Sequence, residues 1–263
     1  MEFCEMKNQR SQAKIILCVW AVILLSLTES CSKSNNSPQP PPVSGDTLYN
    51  RVITVSNFAG DTSSLTAPDA NRATIFYSLD SNSGVPSLYA QTNRWDVSFG
   101  GIFNSFLGGN NGTDASNAGS GGPGTGGITV LPQYFDSVNS VPTGLTFSRA
   151  GQAAGTDDAG AFGQGVGWYV YDWGGTLYYT SSVCHALGIG GRDTTSAATQ
   201  AHTAWARPDR TILVHTAKGS YAKLRMISIY KDAIASPVTS SPAPYLCFQY
   251  VLARPGSTDL SVH

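Results

Sequence analysis

The scarcity of charge is the first constraint on what this chain can do. Among 263 residues there are 16 basic and 17 acidic side chains, a net charge of −1. So sparse and balanced a set builds no polycationic surface for a phosphate backbone, and nucleic acid is not an expected partner. A G-x-S-x-G elbow, which would present a nucleophilic serine, is absent. Structural zinc wants four Cys or His ligands at short spacings, and the nearest approach is Cys184, His185 and His202. "SSVCH" lacks the first cysteine of C-x-x-C-H, which excludes covalently attached haem. Asp96, Asp172 and the Asp157-Asp158 pair could supply the two convergent carboxylates of a glycosidase, but any domain carries such residues. The expectation is a binding protein, not an enzyme.

Helical signals are also missing. No long segment joins a 3.6-residue apolar period to both a start and a stop signal, and 28 glycines with 14 prolines imply many turns. Short β-branched and aromatic runs, bounded by Gly, Pro, Asn, Asp or Ser, recur instead: residues 51–56, 73–79, 94–99, 127–131, 167–173, 176–181 and 244–253. "RTILVHTAKGSYAKLRMISIY", residues 210–230, alternates apolar and polar positions on both sides of a Lys218-Gly219 turn and predicts a hairpin. The fold class is therefore all-β, antiparallel.

At the N-terminus, Lys7, Arg10 and Lys14 precede an apolar run from Ile15 to Leu27 and an exit at Ser30-Cys31. That pattern predicts a signal peptide over residues 1–30. The run is too short for a bilayer, which takes roughly twenty residues. Cys31, directly after the exit, looks like the cysteine of a bacterial lipobox, which would carry lipid, palmitate included. The polar, Pro-rich residues 31–45 then read as a flexible tether, and residues 46–263 as one β domain. The leader takes three basic and three acidic residues with it, so the remainder keeps its net charge of −1. The membrane is reached only through the anchor. Of five cysteines, Cys184 and Cys247 alone stay with the domain, either as a disulfide or as two buried thiols.

Two long insertions interrupt the strands. Residues 108–127 are glycine-rich, but "GPGTGG" is followed by the strand-like "ITVLP" rather than a helix, so a surface loop is expected and not a phosphate cradle. Residues 182–209 hold His185 and His202, Cys184 and Trp205. A loop of that length is commonly functional. Twelve tyrosines, ten phenylalanines and five tryptophans can build flat apolar surfaces that stack on sugars or porphyrins. Tyr169, Tyr171, Tyr178, Tyr179, Phe248 and Tyr250 fall in strand-like runs and read first as core or sheet-face residues.

The order of motifs carries a resemblance. "YSLDSNSGV" (77–85), "RWDVSFGGIFNSFL" (94–107), "GSGGPGTGGITV" (119–130), "VPTGLTF" (141–147) and "GVGWYVYDW" (165–173) precede the closing hairpin. Over about residues 73–252 this resembles the HmuY family, lipid-anchored haem-binding proteins of Gram-negative anaerobes. The resemblance implies an all-β fold with long binding loops that grips one haem without a covalent bond. It also implies an outer-membrane, cell-surface location and transfer of haem from host carriers to an outer-membrane receptor. Family members hold the iron through two histidines or two methionines, one before and one after the Gly-Trp strand.

Here the first segment, residues 148–167, has neither His nor Met, and Met226 in the hairpin is the domain's only methionine, so a two-methionine site is ruled out. Non-covalent haem still needs a strong axial donor. His185 and His202 are the candidate axial ligands, with Trp205 stacking on the ring; Tyr169 or Tyr171 could instead donate a phenolate. His215 reads as a sheet-face residue, and His263, the last residue, as disordered. The competing expectation is an HmuY-like binding or adhesion module that has lost iron ligation and takes a glycan, a peptide or a protein.

Overall fold

The computed structural model describes residues 48–62 and 71–263. The predicted signal peptide, the predicted lipidation site Cys31 and the predicted tether lie outside the described residues. Among those described, no helix is long and apolar enough to cross a membrane.

Eleven strands are described. They are β1 (Ile53–Ala59), β2 (Asn71–Ser78), β3 (Ser83–Val85), β4 (Val97–Ile102), β5 (Phe106–Gly109) and β6 (Gly127–Leu131). There follow β7 (Tyr169–Asp172), β8 (Thr203–Ala206), β9 (Thr211–His215), β10 (Tyr221–Ser228) and β11 (Tyr245–Leu252). They form a five-stranded sheet, β1-β11-β10-β9-β6, a four-stranded sheet, β3-β2-β4-β5, and a ribbon, β7-β8. Every strand pairing is antiparallel. The fold is all-β, as the alternating runs require.

The predicted hairpin is β9-β10, with Tyr221 opposite His215 and Leu224 opposite Ile212. Its turn closes through the Gly219 amide on the Thr216 carbonyl, with Gly219 at φ 89°, where a side chain would be strained. Period two then sorts the side chains. Ile212 and Val214 face the main core, while Leu213 faces a second cluster with Leu131, Val138, Ala253 and Leu260.

The main core lies where the two large sheets meet. Phe248 of β11 is fully buried and meets Tyr77 of β2 edge to face at 5.2 Å and Phe99 of β4 at 5.6 Å. Truncating such a ring costs on the order of 3–5 kcal/mol. On the opposite face of β10, Lys223 is buried beneath the turn Phe135–Ser137, donating to the carbonyls of Phe135 at 3.1 Å and Val138 at 2.8 Å. Its ammonium also sits over the Phe135 ring at 4.7 Å.

Two expectations are corrected. Residues 176–181 do not form a strand: Leu177–Thr180 is a helical turn (α1), followed by α2 (Ser182–Leu187) and α3 (Ala197–Gln200). The cause is Asp172, whose carboxylate accepts the amides of Gly175, Thr176 and Leu177 and so captures the free N–H groups that open a helix. The glycine-rich stretch 108–127 is also more than a surface loop, because Asn110, Asn111 and Asn117 are buried in it. Their amides donate to the carbonyls of Trp95, Gly126 and Gly109 at 2.7–2.8 Å, satisfying a backbone with few sheet partners.

Candidate functional site

Three irregular segments meet beside β7. Each is held by one buried polar side chain. In the β4-β5 turn, the Asn104 amide donates to the carbonyls of Ala73 at 2.9 Å and Phe99 at 3.0 Å, and its oxygen accepts from the Asp61 amide at 2.9 Å. In the segment before β7, Asp157 accepts from the amides of Ala159 and Gly167 at 3.1 Å, from Arg207 Nη1 at 2.6 Å and from Arg210 Nη2 at 2.9 Å. After β7, the Asp172 carboxylate accepts four amides, of which Gly191, at 2.8 Å, lies across the insertion.

Between them opens a cavity of about 470 Å³, an ordinary size for a small-molecule site, which spans roughly 300–1,000 Å³. Phe103, Phe106, Phe162, Tyr169, Tyr171 and Trp173 supply its rings, and Gln152, Thr156 and Gln164 its polar groups. The rim is uncovered: Phe162 is 72% exposed and Trp173 54%. These two rings meet edge to face at 5.3 Å, and Phe162 lies 6.0 Å from Tyr171. Phe103 and Phe162 take left-handed backbone, φ 56° and 62°, at a cost of roughly 1–3 kcal/mol each.

Both half-buried and buried phenols face this cavity from β7. Tyr169 is buried, its oxygen 3.0 Å from Ser105 Oγ and 3.1 Å from Thr156 Oγ1, and burial pushes its pKa up. Tyr171 has a different partner: its oxygen lies 3.1 Å from His202 Nδ1. The His202 ring stands edge-on to Trp173 at 4.3 Å, on left-handed backbone with φ 57°.

The two predicted axial histidines are not brought together. His202 backs the cavity wall through Tyr171 and Trp173, whereas His185 lies exposed on α2 with its ring 4.7 Å from Tyr178. Among the described residues no group of three or more His, Cys, Asp or Glu could hold a metal ion. Trp205 is opposite Val170 in the ribbon, on the face away from Tyr171, and its indole donates to Thr203 Oγ1 at 2.9 Å. It does not line the cavity. His215 is a sheet-face residue beside Tyr221 and Phe147. His263 is placed, not disordered: its amide donates to the Asn50 carbonyl at 2.9 Å and its ring faces Asp259 at 3.3 Å.

No disulfide forms. Cys184 and Cys247 are both free and buried, the first 3.9 Å from the Ala159 carbonyl and the second 4.0 Å from that of Tyr230. Three of the carboxylates considered for glycoside chemistry hold backbone, Asp157 and Asp172 as above and Asp96 on the amides of Leu79 and Ala217, while Asp158 is exposed.

Of the cavity's rings, only Tyr169 and Tyr171 were singled out in the sequence. Phe103 and Phe106 flank the Asn-Ser turn of "GGIFNSFL", Phe162 is the one aromatic of residues 150–167, and Trp173 stands between the end of a strand and Gly174-Gly175. An aromatic isolated in a glycine-rich segment is the signal that was there to be read.

No family model matches the chain, and no curated protein does. Among solved structures, the crystal structure of an apo HmuY analogue from Tannerella forsythia is similar at 10% identity and TM-score 0.36, over 78% of this chain and 95% of that one. A candidate lipoprotein from Bacteroides fragilis is similar at 12% identity and TM-score 0.29, over 76% and 89% of the two chains. Likeness at this level carries no functional argument.

Proposed function

We propose that this chain is an HmuY-like surface lipoprotein that binds haem, or a related flat porphyrin, without a covalent bond in the aromatic cavity beside β7. The cavity itself carries the reading: six rings around about 470 Å³, with Phe162 and Trp173 left uncovered at its mouth. Exposed aromatic surface on a fixed frame is what a planar apolar ligand requires. The lipid at Cys31 and the tether would hold the cavity off the outer membrane, where haem taken from host carriers passes to a receptor. The two-histidine arrangement is not part of this reading, because His185 and His202 have separate neighbours. The role is binding, with no catalytic step.

A hemin titration of the full chain in detergent tests this. A shifted, saturable Soret band is expected, and Phe162→Ala with Trp173→Ala should weaken binding roughly tenfold or more, since each ring contributes about 0.5–1.5 kcal/mol beyond its buried area. An unchanged hemin spectrum would overturn haem as the ligand. Gln152 and Gln164, carboxamides in the same lining as the exposed rings, favour a glycan as the second reading, and a glycan array then becomes the measurement that decides.

A further inference from the structure

We propose that the hollow between the β2-β3 turn, the short turn Ser87–Tyr89 and the tip of the β9-β10 hairpin binds a carboxylated sugar. Its volume is about 350 Å³, near the lower end for small-molecule sites, which leaves room for one sugar unit rather than a porphyrin. It shares no lining residue with the aromatic cavity, so the proposal stands whatever fills that cavity. Ser78, Asp80, Pro86, Tyr89, Arg94 and Lys218 line it. Two cations against one carboxylate give it an excess of positive charge, in a chain whose net charge is −1. Lys218 Nζ holds Asp80 at 3.1 Å and keeps two further N–H groups. Arg94 lies over the Tyr89 ring, 4.2 Å from its centroid, and among the described residues no ion pair or hydrogen bond engages its guanidinium. Ser78 is only 3% exposed; its oxygen accepts the Ser81 amide at 3.3 Å, while its proton has no acceptor among the described residues.

These groups match a ligand with one carboxylate and several hydroxyls. The flat guanidinium offers paired N–H groups to both oxygens of a carboxylate. Asp80 accepts from sugar hydroxyls, and the Ser78 hydroxyl donates to a ligand oxygen. Asp80 also disfavours a multiply charged anion such as phosphate, which it repels. Pro86 and Tyr89 supply the apolar wall that such sites use. The backbone around the hollow is pinned to the core. Asn82, at φ 49°, turns the chain between β2 and β3, and its side-chain oxygen accepts from the buried Tyr77 at 2.8 Å and Tyr250 at 3.2 Å. Trp95, next to Arg94, is fully buried and donates its indole N–H to the Ala90 carbonyl at 2.7 Å. The Ala217 amide, next to Lys218, donates to Asp96 at 3.2 Å. The backbone that carries both cations therefore needs no ordering by the ligand.

Ligand-observed NMR titrations of the full chain in detergent test this with methyl glucuronide, methyl sialoside and inorganic phosphate, and with methyl glucoside as the counterpart without a carboxylate. At least one acidic glycoside should bind saturably, roughly tenfold or more tighter than the glucoside, as one charge-assisted hydrogen-bonded pair provides. Arg94→Gln, shown by a thermal melt to be folded, should bring that affinity down to the glucoside's level, and Arg94→Lys should restore only part of it. Phe162→Ala with Trp173→Ala should change it less than twofold. If neither acidic glycoside binds more tightly than the glucoside, or if Arg94→Gln leaves the affinity unaltered, the site assignment is overturned. Phosphate binding as tightly as the better glycoside would mark a simple anion site and overturn the sugar as ligand. Loss of binding in the Phe162, Trp173 variant would move the sugar to the aromatic cavity and overturn the hollow as its site.

Discussion

Asp157→Ala removes the carboxylate on which one wall of the cavity hangs. The side chain is fully buried and accepts two amides, from Ala159 and Gly167, and two guanidinium groups, from Arg207 and Arg210. Burial alone would raise its pKa, but those amides and the Arg207 charge outweigh it and hold the carboxyl below the usual range. Truncating one partner of a buried ion pair costs roughly 3–5 kcal/mol. Asp209 keeps both guanidinium groups paired, at 2.7 Å to Arg207 and 2.8 Å to Arg210, so the lower end, about 3 kcal/mol, is expected. For a domain of this size, 1 kcal/mol moves Tm by about 2–4 °C, giving a loss of roughly 6–12 °C. Circular dichroism melts at neutral pH measure it, with Asp158→Ala as the control: the same formal charge, one residue on and exposed, expected within about 0.5 kcal/mol of wild type. The sign with pH follows from the lowered folded pKa. Stability from Asp157 is present above the unfolded value of about 3.9 and lost as pH falls through the folded one, so wild type and variant should converge in acid. A loss no larger than the control's, or a gap that persists into strong acid, would refute the reasoning.

Asp96 should act in the opposite direction. Burial foremost, and the Asp80 charge, push its carboxyl up to about 6 against the amides of Leu79 and Ala217. The folded protein therefore holds this proton longer than the unfolded chain does, and stability should fall by about 3 kcal/mol as pH rises from about 4 to 6. Asp96→Asn should flatten that limb in melts taken across the range; an unchanged slope would count against it. Gly175 tests the other wall. It has φ 73°, and a Cβ there would run into the Ala197 carbonyl, so Gly175→Ala should cost at least about 2 kcal/mol in chemical denaturation. A change under about 0.5 kcal/mol would show that the insertion's two ends do not need that close approach.

The sheets were legible in the sequence because alternation is a local property. Residues 127–131 are β6 as read, and 210–230 form the hairpin with its turn at Gly219. Residues 176–181 misled because strand-like composition was overridden by a carboxylate four residues upstream, whose reach across the turn no local pattern shows. β8 went unread because four residues inside a polar insertion give too short a period. His185 and His202 looked equivalent in one loop. What separates them is that His185 rides the exposed side of a short helix while His202 follows a left-handed turn into a ribbon with β7. The cavity's rings, spread from Phe103 to Trp173, converge only through contacts as distant as Asp157 with Arg207, 50 residues apart.

The same three buried side chains explain how loops can carry a defined site. Asn104, Asp157 and Asp172 each satisfy backbone groups that irregular, glycine-rich segments cannot pair through a ladder. The segments are therefore held before any ligand arrives, and little conformational entropy remains to be lost on binding. Against that frame the exposure of Phe162 and Trp173 has a physical meaning. A mobile loop would fold such rings onto the nearest apolar surface, whereas a pinned one keeps them in water, and the free energy of covering them is left for whatever enters the cavity.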